Sequence, residues 1–297
     1  MAIVSISLIA WLVLRLDVIN LVDILNSARP TPLLLALVLI CLAPLAGTLR
    51  WLGVLHAQRS VCVRFNVALR GVLLAIFLNS FMPAKGGEIT KALYLKRQCN
   101  LSIGFGTVVL ERLMDLFLLG IWGLVGGLLS GQQGNTVIFG ALTLFVSTLI
   151  AFLIIFPIER IIKKHAVTIS EFRSVFNNWV RLPACILMTT IGSLSAWAIS
   201  GAVLILLLKA LGAGEISLYA LSVFPLAILA GIIPVSVSGI GVRDSVLVVL
   251  LSGLVSYEVA SLAAFGYTIL AYWVSSIIAA PFVLWEVFNY SYEKDNS

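Results

Sequence analysis

The stretch Asn79-Ser-Phe-Met-Pro-Ala-Lys-Gly-Gly-Glu-Ile-Thr-Lys-Ala-Leu-Tyr-Leu-Lys-Arg97 decides the fold. It interrupts a hydrophobic run that begins at Val67 and stops at Met82, which leaves the run too short for a comfortable membrane span. Pro83 removes a backbone donor, and Gly86-Gly87 can adopt backbone angles that are closed to other residues. In lipid, irregular backbone survives only where protein or a water-filled cavity covers it. We therefore expect a broken helix here, with a site at the break.

The composition indicates an all-α polytopic membrane protein formed by a single integral membrane domain, residues 1–297. The chain is 61% hydrophobic and 11% charged, and its apolar runs approach the ~20 residues of a membrane helix. The net charge of +6 could suggest nucleic acid, but the basic residues cluster between apolar runs, so we expect no nucleic-acid partner. The four scattered cysteines show no CxxC spacing, so we expect neither disulfides nor a metal site, and no cofactor.

The charges of the loops predict the topology. Stretches 50–70 and 160–181 are both basic, so both are expected in the cytoplasm. An even number of crossings must separate them, which makes 67–97 a re-entrant hairpin, and the same parity makes 218–251 a second one. Both termini are then cytoplasmic. The prediction is about six transmembrane helices, two re-entrant broken hairpins and a surface helix at 157–181, with the spans at 1–14, 31–49, 103–129, 137–156, 182–208 and 258–287.

The two breaks resemble one another, which indicates an inverted repeat with halves 1–130 and 131–297. Pro83 with Gly86-Gly87 corresponds to Pro234 with Gly239 and Gly241. Paired segments interrupted by Gly and Pro in corresponding halves point to the binding site of a transporter. Chance is the alternative, because both residues are common in membrane helices.

The helices that follow the breaks are candidates for an anion site. Helix N-termini attract anions, and a cation near such a start makes sense if a phosphate lies beside it. The alternatives are that the lysines reach lipid headgroups and that Arg243 pairs with Asp244 or Asp115. For Arg243 we favour a function, because a cation deep in apolar sequence is costly. The predicted substrate-binding residues are Arg50, Asn79, Lys85, Gly86, Gly87, Glu88, Lys91, Ser236, Ser238, Gly239, Gly241, Arg243 and Asp244.

Three charged residues, Glu111, Arg112 and Asp115, lie within the apolar run 103–129. Glu111 and Asp115 are four residues apart and share a helix face. The functional interpretation is a buried charge network that closes a gate or carries protons. The structural interpretation is an ion pair through Arg112 that holds one hairpin to this helix. Ionisable residues inside a membrane fit either interpretation, so both stay open.

Four motifs together resemble the lysylphosphatidylglycerol synthase transmembrane, or flippase-like, family: Arg50-Trp51, the run 79–91, Glu111-Arg-Leu-Met-Asp115 and Pro234-Val-Ser-Val-Ser-Gly-Ile-Gly-Val-Arg-Asp244. The resemblance implies an integral protein of the prokaryotic cytoplasmic membrane. It also implies movement of lipids with phosphate headgroups, such as aminoacylated phosphatidylglycerol or polyprenyl-phosphate sugars. Synthase members carry a soluble C-terminal transferase domain, whereas this chain ends at Ser297. Lysyl transfer is therefore not expected.

The function that we predict is lipid translocation of the flippase type, with the headgroup held between the two breaks. The chain has no Walker A motif, so we expect no direct use of ATP. A membrane enzyme acting on a lipid phosphate is the main rival, although His56 and His165 both lie in basic loops and no nucleophile–base constellation is evident. A third reading is an accessory subunit of a lipid synthase or glycosyltransferase. Homo-oligomerisation is left open.

Overall fold

The computed structural model describes residues 2–58, 61–82, 86–130, 134–155, 166–214, 217–233, 236 and 238–295. No β-strand occurs among these residues. Short 3₁₀ turns at Gly86–Glu88 and Leu95–Arg97 flank α5, and a π-helical segment, Ile269–Val274, joins α12 to α13. The helices are α1 (Ala2–Val13), α2 (Val18–Asn26), α3 (Pro30–Leu55), α4 (Phe65–Asn79), α5 (Ile89–Tyr94), α6 (Leu101–Leu129), α7 (Asn135–Ile155), α8 (Ala166–Val180), α9 (Pro183–Ala210), α10 (Ser217–Ile232), α11 (Val242–Leu251), α12 (Tyr257–Thr268) and α13 (Ser275–Asp295).

Three helical stretches of the described chain are long and apolar enough to cross a membrane: α3, α9 and the continuous Tyr257–Glu286. Helix α6 has 29 residues, about 43 Å at 1.5 Å per residue, but carries the three charges predicted above. Shorter apolar stretches lie within α1, α4, α7 and α10. The all-α polytopic membrane class is therefore confirmed. The count of six spans and the cytoplasmic termini stay predictions.

The first broken segment folds back on itself. The 3₁₀ turn after the break packs against α4, where a Cβ added to Gly87 would lie 2.7 Å from the carbonyl oxygen of Ala75. Only glycine permits this approach. Neither Gly86 nor Gly87 has a positive φ, so the backbone freedom that glycine offers is not used at this break. Their part of the chain forms a regular turn, and the constraint on Gly87 is steric.

The second broken segment also forms a hairpin, in which α11 returns against the end of α10. A Cβ on Gly239 would lie 2.9 Å from the Cα of Gly231. Here the backbone does use glycine's conformational freedom, since Gly239 has φ 77° and Gly241 has φ 87°. Pro83 and Pro234, on which both predicted breaks depend, lie outside the described residues.

Helices α3 and α9 cross at very close range. A Cβ on Gly192 would lie 2.6 Å from the Cα of Arg50, and one on Gly53 would lie 2.6 Å from the backbone nitrogen of Thr189. The predicted end of the second span at Leu49 is wrong, because α3 continues to Leu55. From the sequence, Arg50 and Trp51 are expected at the membrane interface, because they directly follow the predicted span 31–49. Both are buried, because carboxylates of α6 neutralise Arg50 inside the protein and allow the helix to continue.

The contacts between helices recur in a paired pattern. Helix α4 packs on α13 as α10 packs on α6, and α5 contacts α6 as α11 contacts α12. Helix α2, which lies between the predicted spans 1–14 and 31–49, contacts α12 as α8 contacts α6. The first arm of each hairpin thus packs against the last long helix of the other predicted half, and the second arm packs against that of its own half. The boundary between the halves near residue 130 stays a prediction.

Helix α8 covers nearly all of the described part of the predicted surface helix 157–181, of which residues 157–165 lie outside the described residues. Val175 and Trp179 are buried on one face, in a cluster with Val54, Ala57 and Leu110 of α3, α6 and the turn after α3. This face packs on protein. Whether the opposite face lies on the membrane surface stays a prediction.

Candidate functional site: a polar cavity beside the first hairpin

A cavity of about 160 Å³ lies where the first hairpin meets the long helices. Residues of α3, α4, α6, α9, α12, the π-helical segment and the start of α13 line it, together with residues around α5, whereas none of its described lining residues belongs to the second hairpin. Three aromatic side chains, Trp197, Tyr267 and Tyr272, contribute to its wall. The predicted site residues that line it are Arg50, Asn79, Glu88, Lys91, Arg112 and Asp115.

The acidic face of α6 binds a cation from α3. Arg50 Nε lies 2.5 Å from Glu111 Oε1, and its NH1 lies 2.9 Å from Asp115 Oδ1. Because the two carboxylates are one helical turn apart, a single guanidinium can contact both. Glu111 is fully buried and Asp115 nearly so. The predicted face is therefore a centre of ion pairing.

The first hairpin is attached to the same face by Lys91. Its Nζ lies 2.6 Å from Glu111 Oε2 and 2.5 Å from Glu88 Oε2, and the side chain is 1% exposed. The ring of Trp51 lies 5.3 Å from the same ammonium group. Asn79 Nδ2 donates to Glu88 Oε1 at 3.0 Å, which joins the end of α4 to the network. The side chain that holds the hairpin to α6 is thus chiefly Lys91, whereas the sequence had suggested Arg112.

Arg112 is the most accessible member of this network. Its NH2 group lies 3.1 Å from Glu111 Oε1, 3.2 Å from Asp115 Oδ2 and 3.6 Å from Glu88 Oε2. Its side chain is 28% exposed, and its Nε has no hydrogen-bond partner. The network (Arg50, Glu88, Lys91, Glu111, Arg112, Asp115) contains three cations and three carboxylates and carries no net charge.

Arg243, at the second break, lies in a separate cluster. Its NH2 is 3.0 Å from Asp244 Oδ1, and Thr268 Oγ1 is hydrogen-bonded to both side chains. The rings of Tyr267 and Tyr272 lie 5.3 and 4.5 Å from the guanidinium carbon. Both rings also line the cavity, whereas Arg243 does not. The pairing with Asp244, considered from the sequence as the alternative to a function, is present.

The start of α11 is already occupied by a carboxylate. Asp244 Oδ2 accepts from the backbone N–H of Gly241 at 3.0 Å. Such an acidic residue in the first turn satisfies a donor that has no partner within the helix. This N–H is therefore not free for the headgroup that the sequence analysis placed there.

The tips of the two hairpins touch. The hydroxyl of Ser238 donates to the backbone carbonyl oxygen of Asn79 and lies 3.5 Å from that of Met82. Ser236 is also buried, but its hydroxyl has no hydrogen-bond partner. Gly86 is half-buried beside Met82. Lys85, the remaining predicted ligand, lies outside the described residues.

Several residues that form the cavity or bind its charged groups were not predicted from the sequence. Ser193 Oγ and Trp197 Nε1 of α9 both donate to Asp115 Oδ1 at 3.2 Å. Tyr267 and Tyr272 separate the cavity from Arg243. A serine four residues before a tryptophan in an apolar span is the only signal that could have pointed to α9. For the tyrosines we find none in the sequence.

The described part of the chain shows no candidate metal-binding site. No group of three His, Cys, Asp or Glu side chains there could hold a metal ion. The four cysteines are free thiols. Burial raises the pKa of the Cys99 thiol in the loop before α6, which disfavours the reactive thiolate.

Two comparisons with known proteins agree with this architecture. A UPF0104 membrane protein of Pyrococcus horikoshii is 32% identical over 89 residues, a match that spans 28% of this chain and 26% of that relative. The family model described as lysylphosphatidylglycerol synthase TM region matches residues 2–279. Because that match covers nearly the whole chain, this protein belongs to the family of lysylphosphatidylglycerol synthase transmembrane regions.

Proposed function

We propose that this protein is a lipid translocase that moves a phosphate-headgroup lipid across the membrane. The observation that carries the proposal is the cavity beside the first hairpin, which is lined by charged side chains and surrounded by membrane-type helices. Charged groups at membrane depth are costly, and they characterise substrate pathways. Membership of a family named for the membrane part of a lipid synthase supports a role with lipids.

In this proposal Arg112 is the first cation to contact the phosphate. Its side chain is the most exposed of the network and lines the cavity, and its planar guanidinium suits bidentate contact with phosphate. Lys91 and Arg50 are already held by carboxylates at short range. We therefore assign them to positioning, and we assign Arg112, for which the sequence left a gating network and a structural ion pair open, to the headgroup.

The balanced charge of the network suggests which headgroups fit. A phosphate can contact Arg112, and an ammonium group can contact Glu88, whose Oε2 lies 3.6 Å from Arg112. An aminoacylated phospholipid carries both groups. A purely anionic headgroup has to compete with the carboxylates that the cations already bind. We place the protein in the prokaryotic cytoplasmic membrane, with both termini in the cytoplasm and transport driven by a gradient or downhill.

Reconstitution tests the proposed function against both rivals. Purified protein in liposomes receives fluorescent phosphatidylglycerol or its lysyl derivative, and an impermeant quencher reports which leaflet holds the label. We expect redistribution without any new product, and we expect Arg112→Gln to slow it. A chemically altered lipid would instead indicate an enzyme. Neither redistribution nor product in the presence of both lipids would favour an accessory subunit.

A further inference from the structure

A second cavity lies on the outer surface, in the groove between α4 and α13. It measures about 510 Å³ and is separate from the polar cavity. Leu69 and Leu73 of α4 form one wall, and Pro281 and Phe282 of α13 form the other. The groove is mainly apolar, and the side chain of Phe282 in its wall is 53% exposed. Most of α13 belongs to a helical stretch that can cross a membrane, so we expect this groove to face the acyl chains of the lipids.

One end of the groove carries a cation on an aromatic ring. The guanidinium of Arg70 lies 4.4 Å from the centre of the Trp285 ring, and both side chains line this end of the groove. Arg70 NH1 lies 3.7 Å from Glu286 Oε2, beyond hydrogen-bond distance, and the Arg70 side chain is 43% exposed. Tyr94 of the first hairpin donates to Glu286 Oε1 at 3.1 Å, which holds that carboxylate in place.

This end of α4 lies within the basic stretch 50–70, which the positive-inside rule assigns to the cytoplasmic side. Trp and Arg together are typical of the headgroup level of a membrane. An apolar groove that ends in an exposed guanidinium matches one ligand in its shape and in its charge. That ligand is a phospholipid with an acyl chain in the groove and its phosphate at Arg70.

Helix α4, where it packs against α13, lies between this groove and the polar cavity. Val72, Ala75 and Ile76 of α4 face the cavity, whereas Leu69 and Leu73 face the groove. Farther along the contact between α4 and α13, hydrogen bonds of hydroxyl groups connect the two helices. Ser80 Oγ lies 2.5 Å from Ser276 Oγ and donates to the carbonyl oxygen of Tyr272 at 3.1 Å.

We infer that the groove between α4 and α13 is a lipid-binding site of the cytoplasmic leaflet, from which the lipid passes to the polar cavity. Arg70 captures the phosphate of an anionic phospholipid, and Leu69, Leu73, Pro281 and Phe282 hold an acyl chain. The entry role rests on the proposed function. The binding site itself does not, because groove, cation and surroundings exist whether or not the lipid crosses.

Photochemical labelling tests the site. Protein in phosphatidylcholine vesicles receives a trace of phosphatidylglycerol with a diazirine on its acyl chain, and mass spectrometry locates the adducts. We expect adducts on peptides containing Leu69, Leu73 and Phe282. Arg70→Gln should reduce them about 2- to 5-fold, the range for a half-exposed ion pair. Arg64→Gln removes the same charge from an exposed position outside the groove and should leave them unchanged.

A second variant blocks the groove itself. Leu73→Trp should lower labelling further, and Leu142→Trp on the exposed face of α7 serves as its control. Adducts spread evenly over α7 and the groove, or unaffected by Arg70→Gln, would overturn the inference. Translocation without groove labelling would refute the inference and leave the proposed function standing. Groove labelling without translocation would refute the proposed function and leave the binding site standing.

Discussion

The two hairpins carry the same types of charged residue but pair them differently. Each places a cation and a carboxylate just after its break. Glu88 and Lys91 of the first hairpin share their charges with residues of α3 and α6, and they line the polar cavity. Arg243 and Asp244 of the second pair mainly with each other, behind two tyrosine rings. The first cluster therefore depends on the arrangement of three helices, whereas the second is largely self-contained.

The largest effect is expected from Glu111→Gln, which removes the carboxylate that all three cations of the network share. Three cations would then have only Glu88 and Asp115. Because breaking a buried ion pair costs about 3–5 kcal/mol, we expect a loss of that size in the free energy of unfolding. Thermal unfolding of the purified protein measures it. A loss below about 1 kcal/mol would show that water reaches the network.

A slightly smaller effect is expected from Arg243→Met, which leaves Asp244 with only Gly241 N–H and Thr268 as partners. We expect unfolding to become easier by about 3 kcal/mol. The double variant Arg243→Met with Asp244→Leu should recover much of this, because replacing both members of a buried pair is often neutral. A double variant no more stable than the single one would show that the second cluster is not self-contained.

The two clusters should also differ in their response to lipid. Arg112→Gln should weaken binding of lysyl-phosphatidylglycerol about 10- to 150-fold, since a hydrogen bond to a charged group contributes roughly 1.5–3 kcal/mol. Arg243→Lys, which keeps a charge behind the tyrosines, should leave binding unchanged. The shift of the unfolding temperature on adding lipid measures both. The opposite pattern would return Arg243 to the role that the sequence analysis gave it.

The smallest effect concerns the contact between the hairpin tips. Ser238→Ala removes the hydroxyl that donates to the carbonyl oxygen of Asn79 and should cost about 1 kcal/mol. Ser236→Ala is the matched control, because this buried hydroxyl has no partner and its removal should be neutral or stabilising. Equal losses in both variants would mean that the tip contact contributes nothing specific.

The sequence predicted what local patterns determine. A proline and glycines inside apolar runs located both hairpins, and the four-residue spacing of Glu111 and Asp115 located the face that gathers cations. Glycine spacing could not reveal why Gly87 is required, because that depends on its approach to Ala75. Local patterns therefore gave the elements and the centre of the site, but not the contacts between them.

The partners of the charged residues were beyond local patterns. Arg50 looked like the end of a span because charge usually meets water there. In the structure it stays buried, because the packing of α3 beside α6 brings it to two carboxylates. Tyr267 and Tyr272 reach the cavity through the path of α12 and the π-helical segment, which apolar composition does not specify.

The close crossing of α3 and α9 limits how this protein can change shape. At Gly53 and Gly192 each backbone lies where a side chain would otherwise stand, so sliding one helix along the other would bring neighbouring side chains into collision. The two helices must therefore move as one rigid body. Any alternation of access has to be a displacement of the hairpins and of α6 and α13 relative to this fixed pair, and Arg50, at the crossing itself, would be the charge that stays in place.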